Sequence, residues 1–461
     1  MVKTMIGLMI LVISLLCTDG LSTAAERDNP LGVQATRAVG EKRLLVAAVA
    51  FPDARPGKPI EELKKRIMGS LNTYIQEQSY GQTSVKVDFR GWVPLPDPLD
   101  QYKVSPYNFQ VDKKKVRKLI EDTLSMIEKE AELADYDQIL IIPGVHTTPG
   151  QGYGMICYCA NPGMLSGVSK RYVPRFETVR SKKGKEFQGG ILVSAENAHL
   201  GMFAHDYLHT LGGVQDGKRI APCLYDFERQ SDAKAGLPAF ENHAIYMGPW
   251  DIMSQHLVKQ GQPCPGLSSF TKIRLGWILP EKVLFVEPGK TAHAFLTPLA
   301  HDGEKLVIKI PLRSSTYYLI ENRQPTGYDQ FLPDTGILIL KVNLNAPEGY
   351  GQVQVMNADP MTKNFYRATF KPGVKGRNIY LDKENDIAVL PLWEEGRSLG
   401  VLVTSKEKSG AALKAVAAIM DLMKKEKGPE KREKVLKALS AFKAYDFEQA
   451  AAVAALPSTG D

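Results

Sequence analysis

Hydrophobic positions in the first half of the chain follow two different periods. Continuous apolar runs, typical of strands buried on both faces, occur at 44–51 and 139–142. Apolar residues recur at helical spacing over 60–78 and 111–134, and an alternating stretch at 83–89 predicts a further strand. Strands that alternate with helices in this way predict an α/β layer.

The pattern changes in the second half of the chain. From 281 to 404, short apolar runs are separated by turn residues, which predicts a β-sandwich-like region. Residues 405–456 are rich in Ala, Lys, Glu and Leu, and we expect two helices there, interrupted near Gly428 and Pro429.

The first residues have the features of a secretory signal peptide. Lys3 precedes a short apolar run, and small residues follow before Glu26. Leu16 is too bulky for the position before a lipidated cysteine, so we expect no lipid anchor at Cys17. The predicted location is therefore secreted or periplasmic. The expected division is 1–25 signal peptide, 26–41 linker, 42–280 catalytic-type α/β domain, 281–404 β-rich domain and 405–461 helical tail.

Composition and charge argue against nucleic-acid-binding and membrane-spanning proteins. The 461 residues are 44% hydrophobic and 24% charged, which is typical of a globular protein. The net charge of +7 comes without a long basic tract interleaved with aromatic residues, so the sequence predicts no nucleic-acid partner. No segment after the signal reaches the length of a stable membrane span.

Four cysteines remain once the signal peptide is removed. An even number in an oxidising compartment predicts up to two disulfides, and three connectivities are open. A bridge between neighbours two residues apart would close a very tight ring, so cross-links to the two later cysteines are favoured. The candidates are Cys157, Cys159, Cys223 and Cys264.

Two histidines four residues apart are the centre of the candidate chemistry. His205 and His209 lie within the helical pattern of 199–211, so both imidazoles project from one side and can bind one zinc ion. In the standard motif a glutamate follows the first histidine as general base, whereas this chain has Asp206. Gly212 lies three residues after His209, as in extended zinc motifs.

Other segments support a family resemblance when they are taken in order along 43–345. They are 49–53 (VAFPD), 74–81 (YIQEQSYG), 248–253 (GPWDIM), 268–277 (SSFTKIRLGW) and 318–333. Together with the histidine helix, they resemble the immune inhibitor A group of secreted bacterial metallopeptidases. The resemblance implies a metzincin-like α/β (α+β) catalytic domain followed by a β-sandwich-like domain. The helical tail has no counterpart.

The resemblance also implies an activity, which is zinc-dependent cleavage of peptide bonds inside polypeptide substrates by a zinc-activated water. His205 and His209 would be zinc ligands, Asp206 would be the catalytic base, and Met253 would belong to the Met-turn beneath the metal. Zinc is the expected cofactor, and nothing in the sequence indicates calcium.

The third zinc ligand does not follow cleanly from the resemblance. The family has an acidic residue three positions after the glycine, and Gln215 occupies that position here. We expect the next residue, Asp216, to be the ligand. Asp226 is the second candidate, and His256 or His243 the third.

Asp206 leaves a second function open. An aspartate reaches about one C–C bond less far than a glutamate, and a misplacement of ~1 Å can reduce a rate ~100-fold. The chain could therefore be a slow enzyme, or an extracellular protein that binds a peptide ligand on a peptidase scaffold without cleaving it. The two histidines could also hold a metal without turnover, or no metal.

Overall fold

The structure is a computed structural model, and it describes most of the chain after the predicted signal peptide. Residues 34–461 form one compact unit, and residues 1–33 form a separate one. The predicted signal peptide and the linker residues 26–28 and 36 lie outside the described residues. The described residues are 29–35, 37–102, 113–146, 157–159, 179–187, 190–216, 218–232, 244–255, 263–313, 315–424 and 429–456.

A largely parallel sheet forms the first layer. Its strands are β1 (Gly40–Ala50), β2 (Thr83–Pro94), β3 (Gln138–Pro143), β4 (Cys157–Cys159) and β5 (Ile191–Ser194). They are arranged in the order β2-β1-β3-β5-β4, and β4 alone runs antiparallel to its neighbour. The continuous apolar runs in the sequence are explained by β1 and β3, which are central and buried on both faces.

Helices accompany this sheet as the sequence predicts. They are α1 (Ile60–Lys64), α2 (Asn72–Gln78), α3 (Lys113–Ile127), α4 (Leu200–Gly212), α5 (Phe227–Asp232) and α6 (Ser269–Arg274). The expected helix at 60–78 is present, but Lys65–Leu71 winds as a wider π-helix between α1 and α2. Leu119 and Ile120 of α3 share one core with Leu45 of β1 and Ile139 of β3. The predicted α/β layer is confirmed.

Two further sheets form the β-rich region, residues 283–404. Its strands are β6 (Val283–Phe285), β7 (Ala292–Leu296), β8 (Val307–Pro311), β9 (Thr316–Arg323), β10 (Gly336–Asn343), β11 (Val353–Val355), β12 (Tyr380–Asp382), β13 (Ile387–Glu395) and β14 (Ser398–Thr404). One sheet has the order β6-β8-β9-β10-β11 and the other β7-β14-β13-β12. Side chains from both sheets, such as Ile320 and Val401, meet in one hydrophobic core.

The described residues after 405 contain three helices where the sequence predicts two. They are α7 (Lys406–Lys424), α8 (Pro429–Lys443) and α9 (Phe447–Ala455). The additional boundary lies at Tyr445, whose φ of 62° ends α8, and Asp446, whose side chain accepts a hydrogen bond from the Gln449 N–H and caps α9. The helices pack on β13 and β14 through residues such as Leu390 and Leu402.

One buried lysine makes the stability of this fold depend on pH. Lys272 of α6 is 1% exposed, donates to the Leu299 carbonyl at 3.2 Å, and its Nζ lies 4.2 Å from the ring centre of Tyr80. Burial lowers the pKa of Lys272 to about 7, although acidic neighbours such as Asp329 act in the opposite direction.

We expect the unfolding free energy of the wild-type protein to rise relative to that of Lys272→Met as pH increases from 7.5 to 9.5. In this range Lys272 is protonated in the unfolded protein but has released its proton in the folded protein. The unfolding free energy of the wild type therefore rises by up to about 1.4 kcal/mol per pH unit. Urea denaturation of both proteins at several pH values measures the difference. A difference that is constant with pH would contradict the lowered pKa.

Candidate metal centre

Helix α4 carries both histidines through the interior of the protein. It begins after His199, whose Nδ1 accepts a hydrogen bond from the Gly201 N–H at 3.0 Å, and it ends before Gly213, whose φ is 69°. Residues 201–212 are buried on every side, which explains why this helix is apolar around its whole circumference. Buried polar side chains on such a helix require partners.

Two imidazoles and a thiol converge beside α4. The Nε2 atoms of His205 and His209 lie 3.1 Å apart, and the Sγ atom of Cys223 lies 3.8 and 3.3 Å from them. All three residues are buried. Among the described residues, the donor atoms of these two histidines and this cysteine lie close enough together to bind one metal ion. The sequence-predicted pair of histidines therefore gains Cys223 as its third donor.

The outer nitrogen of each imidazole is held by a backbone carbonyl. His205 Nδ1 lies 3.0 Å from the oxygen of Ile252, and His209 Nδ1 lies 2.6 Å from the oxygen of Ala221. A carbonyl only accepts hydrogen bonds, so each Nδ1 carries the proton and each Nε2 of a neutral ring presents its lone pair. Two lone pairs 3.1 Å apart repel each other, and a metal cation bound by both nitrogens would remove this repulsion. The donor set therefore fits a metal ion.

Gly212 allows one of these carbonyls to approach. A Cβ at this position would lie 3.0 Å from the nitrogen and 3.1 Å from the Cβ of Ala221, which is closer than ordinary contacts. Only a glycine lets the returning chain pack this tightly on the end of α4. The same approach brings the Ala221 carbonyl to His209, so the glycine noted in the sequence contributes to the geometry of the centre.

An ion pair between the buried Arg219 and the partly buried Glu348 adjoins the donors. Arg219 Nη1 lies 3.1 Å from His209 Nε2 and 3.1 Å from Glu348 Oε1, and the same carboxylate oxygen accepts the Cys223 N–H at 2.8 Å. Glu348 belongs to the β-rich region and neutralises the guanidinium. Two neutral imidazoles and a thiolate would then give the centre one negative charge with which to bind a dication.

Tyr225 completes the surroundings of the thiol. Its hydroxyl lies 3.3 Å from Cys223 Sγ, and its ring stacks on His205 with a centroid separation of 6.0 Å and an interplanar angle of 26°. Burial raises the pKa of the Cys223 thiol well above its ordinary value; the Glu348 and Asp206 carboxylates raise it further, whereas Arg219 and Tyr225 lower it. The carboxylate of Asp206 is thus within electrostatic range of the donors.

The described residues that the sequence offered as third ligand lie outside the donor group. Gln215 and Asp216 are exposed at the turn of a short hairpin, where Asp216 has a φ of 50°, and the structure does not bring them into the donor group. Asp226 accepts hydrogen bonds from Tyr246 Oη and from the Arg229 N–H, both at 2.7 Å, and so caps α5. The other candidates, His243 and His256, lie outside the described residues.

Asp206 and Met253 occupy buried positions next to the centre. Asp206 follows His205 on α4 and is 7% exposed. Met253 is fully buried in the turn at 251–254, directly after the residue whose carbonyl holds His205. The Met253 carbonyl accepts the Leu224 N–H at 2.9 Å, which ties this turn to the segment that carries Cys223.

The expected disulfides to Cys223 and Cys264 are not formed, because both residues are free thiols in the structure. Cys223 faces the two imidazoles instead, and burial raises the pKa of Cys264 to about 12. The side chains of Cys157 and Cys159 lie outside the described residues. The even number of cysteines led to the prediction of disulfides, so Cys223 was not considered as a metal donor. Its position 14 residues after His209 is the signal in the sequence that could have indicated this role.

No protein-family model and no curated protein matches the chain. Within the described ranges, no helix has both the length and the apolar character that crossing a membrane requires. The geometry of the donor group is therefore the observation from which a function can be proposed.

We expect Cys223→Ala to weaken Zn²⁺ binding by at least about 100-fold, because it removes a donor, whereas changes outside the donor set typically weaken binding ~10–100-fold. The dissociation constant would be measured by competition with a chromogenic chelator. Cys264→Ala is the matched control, since it removes a buried free thiol elsewhere, and Asp216→Asn tests the alternative ligand. Tight binding by Cys223→Ala together with weak binding by Asp216→Asn would reverse the assignment.

Proposed function

We propose that this protein is a zinc-dependent hydrolase that cleaves peptide bonds in polypeptide substrates outside the cytoplasm. The observation that carries the proposal is the convergence of His205 Nε2, His209 Nε2 and Cys223 Sγ at 3.1–3.8 Å, with both Nδ1 atoms held by carbonyls. The extracellular location is inferred from the signal-like first residues.

The donor types favour zinc over other common metals. Imidazole nitrogen and thiolate sulfur are typical zinc ligands, whereas magnesium and calcium prefer oxygen. Structural zinc sites are usually closed by four protein donors, while catalytic sites have three and leave one position for water or substrate. The two imidazoles and one thiol that the described residues bring together match in number the protein ligands of a catalytic centre.

Each side chain around the centre has a proposed task. When bound, zinc would supply a Lewis acid that polarises the scissile carbonyl and lowers the pKa of water. Asp206, buried and next to His205, would accept the proton released by the attacking water. Tyr225 would hold the sulfur through its hydroxyl and His205 through ring stacking.

The proposal keeps the resemblance to the immune inhibitor A group and its metzincin-like domain, with one departure. Met253 would belong to the Met-turn, and its burial beside Ile252, whose carbonyl holds His205, supports that role. The departure is Cys223, which takes the place expected for an acidic ligand. A sulfur ligand donates more charge to the metal than a carboxylate oxygen does, so this chain would have a weaker Lewis acid than its proposed relatives.

A second candidate function is a non-catalytic protein that binds a peptide ligand on the same scaffold. The observation that favours it is Asp206, which is shorter than the expected glutamate and sits on a helix buried on all sides. A carboxylate misplaced by ~1 Å could lower turnover ~100-fold. Metal binding would be retained in this case, and persistent peptide binding would replace cleavage.

We expect Asp206→Glu to raise the rate of peptide cleavage by roughly 10- to 100-fold, because the longer side chain brings the base closer to the reacting water. Cleavage of casein and of a fluorogenic peptide library would be followed with and without a chelator, and bound zinc would be quantified by mass spectrometry. His205→Ala is the control and should abolish both zinc binding and cleavage.

The two functions give different results in this experiment. Chelator-sensitive cleavage by the wild-type protein supports the hydrolase. Stoichiometric zinc with no cleavage by the wild-type protein or by Asp206→Glu supports the binding protein. A wild-type protein without zinc and without cleavage would reject both.

A further inference from the structure

The two carbonyls that hold the histidines belong to segments attached to opposite ends of helix α6. At its beginning, Asp251 Oδ2 accepts hydrogen bonds from the N–H and hydroxyl of Ser268 at 2.9 and 2.5 Å and from the Thr271 hydroxyl at 2.6 Å. At its end, Arg274 Nε donates to the Ile220 carbonyl at 2.8 Å. Ile220 immediately precedes Ala221, whose carbonyl holds His209.

Asp251 also determines the direction of the Ile252 carbonyl. Its Oδ1 accepts the Met253 N–H at 2.8 Å, and its backbone oxygen accepts the Ser254 N–H at 2.9 Å. The Ile252 carbonyl and the Met253 N–H belong to one planar peptide group and point in opposite directions. Because Asp251 holds the N–H, the carbonyl is directed to His205 Nδ1. A fully buried carboxylate thus controls the turn that orients a metal ligand.

Arg323 clamps the same turn from the β-rich region. This residue of β9 is 0% exposed, and its Nη1 donates to the Trp250 carbonyl and to Glu321 Oε1, both at 2.9 Å. Its Nε and Nη2 donate to the two oxygens of Asp329 at 3.0 and 2.8 Å. Glu321 in turn accepts the Ser269 N–H of α6 at 2.7 Å. The guanidinium therefore connects strand β9, α6 and the turn.

We propose that Asp251 and Arg323 are positioning residues for the metal centre, acting through the Ile252 carbonyl on the His205 imidazole. The inference rests on the proposed metal centre and adds a dependence on the β-rich region. Each residue is buried and charged, and burying charges is costly unless they are fully hydrogen-bonded. Their hydrogen bonds end on the turn whose Ile252 carbonyl holds the His205 ring. We infer that these buried charges are retained because they orient a metal ligand.

The test compares two variants with two matched controls in the full-length protein. Arg323→Lys keeps the positive charge, but its three donors sit on one nitrogen and cannot reproduce the four hydrogen bonds of the planar guanidinium. Thr271→Val removes one hydrogen bond to Asp251. The controls are Arg377→Lys and Thr369→Val, which alter a similar cluster around Asp334 in the β-rich region. All four are expected to lower the midpoint of urea unfolding.

The readouts are the Zn²⁺ dissociation constant, from chelator competition, and the visible absorption bands of the Co²⁺-loaded protein. We expect Arg323→Lys to weaken zinc binding about 10-fold, Thr271→Val to weaken it less, and both to shift the Co²⁺ bands, since outer-shell partners orient the ligands. The controls should bind zinc within about 2-fold of wild type and leave the Co²⁺ spectrum unchanged.

The outcomes separate this inference from the proposed function. Wild-type affinity and spectra in both Arg323→Lys and Thr271→Val would overturn the positioning role and leave the metal centre intact. Equal losses in the variants and the controls would also overturn it, because the effect would then follow stability. If Arg323→Lys does not fold, Thr271→Val with its control decides. A wild-type protein that binds neither Zn²⁺ nor Co²⁺ would overturn the metal centre and this inference together.

Discussion

The hydrogen bonds from two imidazole Nδ1 atoms to the carbonyls of Ile252 and Ala221 are the interactions on which the candidate centre depends. They place the ring protons on the outer nitrogens, so both Nε2 lone pairs face the same point. Without them, either ring could rotate or take the other tautomer, and the donors would no longer converge. The remaining polar structure nearby holds these two carbonyls in place.

Holding them requires charges deep inside the protein. Arg323 forms a buried cluster with Glu321 and Asp329, and the buried Arg219 pairs with the partly buried Glu348. Desolvation of such charges is unfavourable in isolation. The Arg323 cluster bonds the Trp250 carbonyl and the Ser269 and Gly266 N–H groups, and Glu348 accepts the Cys223 N–H; hydrophobic replacements could not make these hydrogen bonds. Such arrangements contribute little net stability but restrict geometry, and a metal centre requires restricted geometry.

The β-rich region contributes residues that contact the candidate centre and the turn that orients it. Glu348 contacts both Arg219 and the Cys223 N–H, and Arg323 holds the turn that orients His205. The segment predicted as the catalytic-type domain, 42–280, therefore obtains part of its site architecture from residues after 280. A chain shortened at that boundary would lose two of the groups that shape the donor geometry.

The sequence by itself determined the parts of this protein that depend on local periodicity. The spacing of His205 and His209 places both rings on one side of α4 because helical geometry repeats every 3.6 residues, and apolar runs indicated β1 and β3 because both faces of those strands are buried. Only the tertiary structure decided the third donor. Cys223 reaches the histidines because the chain after the hairpin at 214–219 returns over Gly212, while Asp216 stays exposed at the turn. That choice depends on contacts between distant residues, which periodicity does not encode.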